Sequence, residues 1–314
     1  MYQYVVGKTE LTSQSVILLT LTPASDADIF AYRAGQYVTV GWQHGAQPTP
    51  VRCFSLVSSP TQRGFVQLAM RVQGDFTAAA ATLKVGAKLK LRGPFGDFTL
   101  RPDAGSQVMV AGGIGITPMI SMIRYATDSG LDQPLTLLYS CRTQDDVSFL
   151  PELDELSRRN PLLTVVYAIT SGSVDKLAGR RVQLGRIDQL LLKPAGARRP
   201  VGSDYYLCGP PAFITAMADN LRLLDAADDH VHAESFSQGK DKDQTAVYGV
   251  IFGLTGLAIV GGVGLLSFKQ IAQGLIGNSP TVTPSPIIQT VAPGGGGATS
   301  PTATPYQPPT TSVS

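Results

Sequence analysis

The pattern of apolar residues changes near Gln107, and this change predicts two domains of different architecture. Before it, short apolar runs alternate with polar residues and are separated by Gly, Pro and Asp. The six runs are Tyr2–Val6, Ser15–Leu21, Tyr37–Gly41, Cys53–Val57, Phe65–Arg71 and Lys88–Leu91. Runs of this kind predict an antiparallel barrel or sandwich.

After Gln107, strand-like and helix-like stretches alternate. The predicted strands are Val108–Ala111, Leu135–Ser140, Leu163–Thr170, Tyr205–Leu207 and Val231–Phe236, and the predicted helices are Met119–Ala126, Leu150–Arg159, Ile187–Leu192 and Ala212–Leu224. This order predicts a doubly wound parallel sheet, which binds ligands at the carboxyl ends of its strands. Gly112–Thr117, Arg142, Ser171 and Cys208–Pro210 follow predicted strands and should lie at that edge.

Three motifs stand out in the first half. Arg52–Ser55 places a guanidinium and an aromatic ring on one face of an extended segment, and Arg can pair with a phosphate through two hydrogen bonds. Gly74–Thr77 opens a predicted short helix through Ala78–Leu83, and a helix N-terminus suits an anion. Gly93–Phe98 reads as a tight turn. Each motif alone is equally compatible with a surface Arg, a helix cap or an ordinary turn.

The second half opens with Gly112–Pro118 between a strand and a helix. Thr117 suits the N-cap of the helix and Pro118 its first turn. Glycines at such a place let the backbone approach a pyrophosphate. The spacing differs from the G-x-G-x-x-G fingerprint of dinucleotide-binding folds.

Taken together, these motifs resemble the ferredoxin–NADP reductase superfamily. A barrel with R-x-[FY]-[ST] and G-P-[FY]-G-x-F precedes a sheet with G-G-x-G-x-T-P and C-G-P-P, over about residues 1–237. Within the superfamily the chain is most similar to reductase subunits of bacterial oxygenases. The resemblance implies a six-stranded antiparallel flavin-binding β-barrel over 1–102 and an NAD(P)-binding α/β domain over 103–239.

For the flavin, the resemblance implies that Arg52 holds a phosphate, Phe54 lies against the isoalloxazine and Ser55 hydrogen-bonds near its reactive nitrogen. Gly74 and Thr77 match the segment that contacts the FAD pyrophosphate, which favours FAD over FMN.

For the nicotinamide dinucleotide, the resemblance implies binding by the first Gly-rich turn and placement of the nicotinamide by the C-G-P-P segment. Arg142 is a further candidate for cofactor binding, and NADH and NADPH both remain open as donor. Glu234 and Phe236 match an E-x-F that closes the site, and Ser55, Cys208 and Glu234 are the catalytic candidates. The implied dinucleotide-binding residues are Gly112, Gly113, Gly115, Thr117, Pro118, Cys208, Gly209 and Pro210.

Charge is distributed unevenly along the chain. The net charge of +2 excludes a strong nucleic-acid field. Only Lys269 carries a charged side chain after Asp243. The uncharged stretch Val247–Phe268 is long enough to span a membrane, which takes about 20 residues. A buried core helix is the alternative, but the Gly and Thr content favours a membrane.

The remaining C-terminal segments complete the predicted domain organisation. Residues 240–246 form a linker and 247–268 a transmembrane helix with small-residue patterns compatible with a homodimer. Residues 269–314, rich in Pro, Thr, Ser and Gly, form a disordered tail. Since the N-terminus has no secretory signal, the expectation is a single-pass membrane protein whose catalytic part is cytoplasmic and whose tail lies outside.

The predicted function is a membrane-anchored flavoprotein that transfers hydride from NAD(P)H to FAD. The three Cys match no zinc or iron–sulfur spacing, so no metal site is predicted. The electrons should therefore pass to a separate one-electron carrier or membrane redox protein. The alternatives are a free flavin or ferric-chelate reductase and a non-catalytic redox sensor or anchor.

Overall fold

A computed structural model describes residues 1–45, 47–102, 105–193 and 202–236, together with the backbone of the strand Ile288–Thr290. The first domain contains seven strands and one helix. They are β1 (Tyr2–Ser13), β2 (Val16–Pro23), β3 (Tyr37–His44), β4 (Gln47–Pro48), β5 (Arg52–Ser55), β6 (Val66–Arg71), α1 (Asp75–Ala81) and β7 (Lys88–Phe95).

Six of these strands close an antiparallel barrel, as the sequence predicts. The order is β5-β3-β7-β1-β2-β6, and a bridge between Leu56 and Leu68 joins the two ends. The two-residue β4 adds only to the end of β3. Closure removes the open edges that would otherwise invite wrong pairing. The barrel interior is filled by large side chains such as Leu19, Leu21, Leu68 and Leu91, all fully buried.

The second domain is a parallel sheet covered by helices on both faces. Its order is β13-β12-β8-β9-β10-β11. Packing of α2 and α3 covers one face, and α4 and α5 cover the other. The elements are β8 (Ser106–Gly112), α2 (Ile116–Asp128), β9 (Leu135–Cys141), α3 (Leu150–Arg159), β10 (Leu163–Ile169), β11 (Arg181–Leu184), α4 (Gln189–Leu192), β12 (Ser203–Gly209), α5 (Pro211–Leu223) and β13 (Val231–Ser235).

The structure corrects two sequence predictions. Helix α2 begins at Ile116 with Gly115 as N-cap, so Thr117 lies inside the first turn instead of capping it. The loop expected between Thr170 and Arg186 contains β11, which buries only Val182 and Gln183 and so shows no apolar run. Helix α1 begins at Asp75 with Gly74 as N-cap, within the segment Gly74–Thr77 predicted to open it.

A further strand, β14 (Ile288–Thr290), pairs antiparallel with β11. It lies in the segment predicted as a disordered tail. The edge strand β11 presents backbone groups that a passing segment can pair with. The linker 240–246, the stretch 247–268 and the rest of the tail lie outside the described residues. Within the described part of the chain, every helix is too short or too polar to cross a membrane.

Arg124 on α2 joins the two domains. Its Nε and Nη2 donate to the two carboxylate oxygens of Glu152 on α3, at 2.6 and 2.8 Å. Its Nη1 donates to the carbonyl of Val57 and to Oε1 of Gln67, both at 2.8 Å, and both on the barrel side. Beside it, Ser121 Oγ donates to another barrel carbonyl at 2.7 Å. One buried guanidinium therefore fixes the barrel against the sheet domain.

Replacing Arg124 by Met should destabilise the protein by about 3 kcal/mol, because a partly buried carboxylate and two acceptors lose their donor. Urea unfolding followed by circular dichroism would measure the loss. Arg158→Met is the control, since the exposed Arg158 pairs with Glu155 one helical turn away on the same helix. That change should cost less than about 0.5 kcal/mol. Equal losses in the two variants would contradict the role of Arg124.

Candidate functional site

The sequence-predicted site residues lie along the seam between barrel and sheet. From the barrel, β5 carries Arg52–Ser55 and pairs with β3, so that Tyr37 faces Ser55 in register. From the sheet, the carboxyl ends of β8 and β12 carry the turn Gly112–Gly115 and the segment Cys208–Pro210. Parallel strands bring their carboxyl ends to one edge, as a ligand site requires.

Ser55 is the buried polar group of this seam. Its side chain is 2% exposed, and its Oγ has no hydrogen-bond partner among the described residues. A buried hydroxyl without a partner costs free energy, so it favours a ligand that can complete the hydrogen bond. Ser55 is thus a buried, unpaired hydroxyl at the position predicted to contact a flavin.

Phe54, the next residue, stacks on a neighbouring ring of the barrel. Its ring lies 5.7 Å from that of Phe76 on α1, with 20° between the planes. Phe76 in turn packs 4.6 Å from Trp42. One side of Phe54 is thus occupied by the protein, and the predicted contact with an isoalloxazine is left to its remaining surface. Arg52 is exposed at the start of the same strand.

Gly74 and Thr77 shape the entrance to α1. Gly74 is the N-cap, with φ of 77°, a conformation that favours glycine. The Thr77 hydroxyl accepts from the backbone N–H of Gln73 at 2.7 Å and donates to the Gln73 carbonyl at 2.8 Å. This hydroxyl therefore holds the loop in shape, and a pyrophosphate would meet backbone groups here.

In the turn after β8, the glycines have different tasks. Gly113 has φ of 55°, and a Cβ on it would lie 3.5 Å from Nη2 of Arg71. A Cβ on Gly115 would lie 2.1 Å from the backbone oxygen of Cys208, so only glycine lets α2 start against β12. The Thr117 side chain is buried, and its hydroxyl donates to the Ile114 carbonyl at 3.1 Å. Gly113 thus lies beside the Arg71 guanidinium, and Gly115 serves packing.

Arg71 is a site residue that the sequence analysis missed. It ends β6 on the barrel, and its guanidinium lies beside Gly113 of the sheet domain. Its buried Nε has no hydrogen-bond partner among the described residues. A guanidinium at a Gly-rich turn suits a phosphate. Its position three residues before the Gly74 motif was the only signal in the sequence.

Glu234 of β13 lies where the sheet domain meets the barrel. It is 3% exposed, pairs in register with Cys208, and its Oε1 lies 3.8 Å from where a Cβ on Gly96 would be. Burial first, and then the charge of Glu234, raise the pKa of Cys53 and Cys208. The pKa of Tyr37 is raised by burial, then by Cys53 and then by Glu234. A carboxylate from the last strand of the sheet therefore reaches residues of β3, β5 and β12.

The remaining predicted residues occupy the same edge or lie just beyond it. Phe236 follows β13 and packs on the core shared by both domains. Pro118 is buried in the first turn of α2. Gly209 ends β12, and Pro210 is the N-cap of α5. Arg142 is exposed after β9, where its carbonyl accepts from the backbone N–H of Ser171 at 2.8 Å.

Cys208 has no exposed surface, and burial raises its pKa well above the usual range. A fully buried thiol with a raised pKa is suited to packing and not to acting as a nucleophile. The predicted contact between its side chain and a nicotinamide would need a local opening of the site. Among the described residues, no group of three His, Cys, Asp or Glu side chains is placed to hold a metal ion.

The burial of the thiols predicts their order of alkylation. Cys53 is half-buried, whereas Cys141 and Cys208 are buried, with the pKa of Cys141 raised to about 12. At pH 7.5 iodoacetamide should modify Cys53 first, and more slowly than a free thiol, because a raised pKa leaves less thiolate. Mass spectrometry of tryptic peptides measures this order, with guanidinium-unfolded protein as control. Modification of native Cys208 as fast as Cys53 would disprove it.

Comparisons with known proteins agree with the two-domain organisation. Residues 3–100 match the family model "Oxidoreductase FAD-binding domain", and residues 109–219 match "Oxidoreductase NAD-binding domain". The two matches indicate FAD and NAD(P)H as cofactors. They also agree with the barrel and the sheet domain seen in the structure.

Similar proteins include a flavohemoprotein and a reductase component of an oxygenase system. A flavohemoprotein of Bacillus subtilis is 26% identical over 74% of this chain and 58% of its own length. The ferredoxin–NAD(P)(+) reductase component of the naphthalene 1,2-dioxygenase system of Pseudomonas putida is 29% identical over 67% of this chain and 62% of its own length. The chain thus spans about three fifths of these relatives.

Among solved structures, the fold is similar to the FAD/NAD-binding domain of nitric oxide dioxygenase from Vibrio cholerae. The TM-score is 0.65 at 23% identity, covering 75% of this chain and 98% of that domain. At this identity the likeness concerns the fold.

Proposed function

We propose that this chain, whose FAD-binding and NAD-binding oxidoreductase domains belong to the ferredoxin reductase-like superfamily, oxidises NAD(P)H through FAD and passes the electrons to a separate acceptor. The observation that carries the proposal is the seam itself. The unpartnered hydroxyl of Ser55, the guanidinium of Arg71 and the carboxylate of Glu234 all lie between the flavin-type barrel and the dinucleotide-type sheet.

The described residues fit the two cofactors. Ser55 offers a buried hydroxyl to a flavin, and Arg71 beside Gly113 offers a cation to a phosphate. When bound, the flavin accepts hydride from the nicotinamide and can release electrons singly or as a pair. The chain supplies orientation, because hydride transfer depends on how the two rings are held together. Arg124 preserves this orientation by fixing the barrel to α2 and α3.

Glu234 supplies a carboxylate to the seam. Its side chain is almost fully buried, yet it lies where barrel and sheet meet. A carboxylate at this place can hold a proton or accept a hydrogen bond when the charge of a bound ring changes. Ser55 can donate or accept at its own side of the site. The roles proposed for both residues concern protons and orientation, and neither forms a covalent bond.

The test is anaerobic reduction of the full-length, FAD-loaded protein, followed at the flavin absorbance band. NAD(P)H should bleach the band, and Ser55→Ala should slow bleaching by about 10–100-fold, as expected for a lost buried hydrogen bond of 1–3 kcal/mol. Ser106→Ala is the control, since Ser106 begins β8 at the opposite end of the sheet and bonds Ser203. A protein that cannot take up FAD would disprove the proposal.

The acceptor is proposed to be a ferredoxin-like or membrane redox protein. Relatives described as reductase components of oxygenase systems support a separate acceptor. Turnover with ferredoxin or a membrane extract, compared with turnover on free FMN or a ferric chelate, separates this proposal from a free flavin or ferric-chelate reductase. A reduced protein that transfers electrons to none of them would instead favour a redox sensor.

Arg142 is proposed to read the 2′-phosphate of NADPH. Three arginines of the sheet domain are candidates, namely Arg142, Arg180 and Arg181. Of these, Arg180 donates to both carboxylate oxygens of Asp154, at 2.9 and 2.5 Å, and is thereby occupied. Arg181 begins the edge strand β11, whereas Arg142 is exposed at the carboxyl end of β9. Dinucleotide sites lie at these strand ends.

Replacing Arg142 by Ala should raise KM for NADPH about tenfold and leave KM for NADH unchanged, because only the phosphate contact is lost. Steady-state kinetics with both donors measures the change, and Arg158→Ala is a control at an exposed arginine on α3. An equal change for both donors would show that Arg142 does not read the phosphate.

A membrane anchor over 247–268 remains part of the proposal. Its support is the uncharged run from Gln244 to Phe268. The cytoplasmic placement of the catalytic part, the outer placement of the tail and a homodimer through the span depend on it. The strand β14 adds a condition, because a tail outside the membrane could not stay paired with β11. Carbonate extraction of membranes, with and without residues 244–268, tests anchoring, and protease accessibility of the tail tests its side.

A further inference from the structure

A cavity of about 640 Å³ lies between the domains, near the amino ends of the parallel strands and thus opposite the seam. The barrel contributes Tyr32 and Arg33, the connection between the domains contributes Arg101, and the sheet domain contributes Tyr125, Asp204 and His230. Asp204 is the second residue of β12, and His230 precedes β13. Along β12, Asp204 lies about 16 Å from Gly209, which ends the strand at the seam, at 3.3 Å per residue. The cavity is therefore separate from the seam.

Asp204 is the reason to expect a ligand there. Its side chain is 1% exposed. Its Oδ1 lies 2.7 Å from Nδ1 of His230 and 3.8 Å from Nη1 of Arg101. Its Oδ2 is buried and has no hydrogen-bond partner among the described residues. A buried carboxylate oxygen without a donor is unfavourable, so a ligand that brings an O–H or N–H group would be stabilised.

The rim of the cavity carries positive charge. The Arg33 and Arg101 side chains are 66% and 56% exposed. The Arg33 guanidinium makes a long contact of 3.5 Å to Asp97, a fully exposed carboxylate, and such a pair contributes little. Two guanidinium groups at the mouth favour a carboxylate on the ligand.

The walls favour a flat ring between these polar groups. Tyr32 and Tyr125 line the cavity, and the Tyr32 hydroxyl is held 2.7 Å from Ser58 Oγ. Aromatic walls bind planar rings by stacking and edge contacts. A volume of 640 Å³ lies within the range of sites for small organic molecules.

We propose that this cavity binds a small aromatic carboxylate that carries a hydroxyl or amino group on its ring. The ligand carboxylate pairs with Arg33 and Arg101, and the ring substituent donates to Asp204. The ligand touches the barrel, the connection and the sheet domain at once. Its binding therefore stabilises the folded arrangement of the two domains by mass action.

The experiment is isothermal titration of the full-length, FAD-loaded protein with three probes: 4-hydroxybenzoate, benzoate and inorganic phosphate. We expect 4-hydroxybenzoate to bind with Kd of about 1 mM or below. Benzoate should bind at least about fivefold more weakly, because it brings no donor to Asp204. Phosphate, which has no ring, should bind more weakly still.

Arg101→Gln should weaken 4-hydroxybenzoate binding about tenfold, which is the loss of a charge-assisted hydrogen bond. The change leaves the backbone bonds of Arg101 to Tyr206 and Gln107 in place, so the variant should fold. Arg222→Gln is the matched control, since its side chain is 54% exposed and lies on α5 away from the cavity. This control should bind as the original protein does.

Four results would overturn the proposal. They are no binding of 4-hydroxybenzoate, equal affinity for benzoate, equal affinities of the two arginine variants, and displacement of the probe by saturating NADP⁺. The last result would place the probe in the dinucleotide site. The comparison of 4-hydroxybenzoate with benzoate needs no variant, so it decides the role of Asp204 even if substitutions disturb the fold.

Discussion

The buried guanidinium of Arg124 is the interaction on which the arrangement of this protein depends. Neither domain alone can satisfy it, because two of its acceptors belong to the barrel and Glu152 belongs to α3. A buried charge that lost either set of partners would be strongly destabilising. The ion pair therefore acts mainly by selecting one relative placement of the two domains, because only that placement satisfies all of its partners.

That docking creates two different sites from the same pair of domains. At the carboxyl ends of the strands, Glu234 reaches the barrel, and Arg71 of the barrel reaches the Gly113 turn. At the amino ends, Asp204 lies under a cavity that the barrel helps to line. Each site combines a polar side chain from one domain with lining residues from the other. Neither domain could form such a site by itself.

The success of the sequence predictions follows the physics of each element. The sequence predicts the six barrel strands and the helix Leu150–Arg159 because their periodic burial produces a matching period of apolar residues. The strand β11 was missed because it buries only two residues, one of them Gln183. The start of α2 was misplaced because Gly115 is fixed there by a close contact with Cys208, which lies far away in the chain.

By itself, the sequence determined the barrel, the parallel sheet, the order of the motifs and the residues that follow each strand, because these depend on local periodicity and on turn residues. Tertiary structure decided which of them meet. Only packing showed that Gly115 lets α2 start close to β12, whereas Gly113 lies beside Arg71. Packing also showed that Cys208 is fully buried and that one oxygen of Asp204 has no hydrogen-bond partner among the described residues. Such facts depend on contacts between residues distant in the chain, which neither periodicity nor spacing along the sequence can specify.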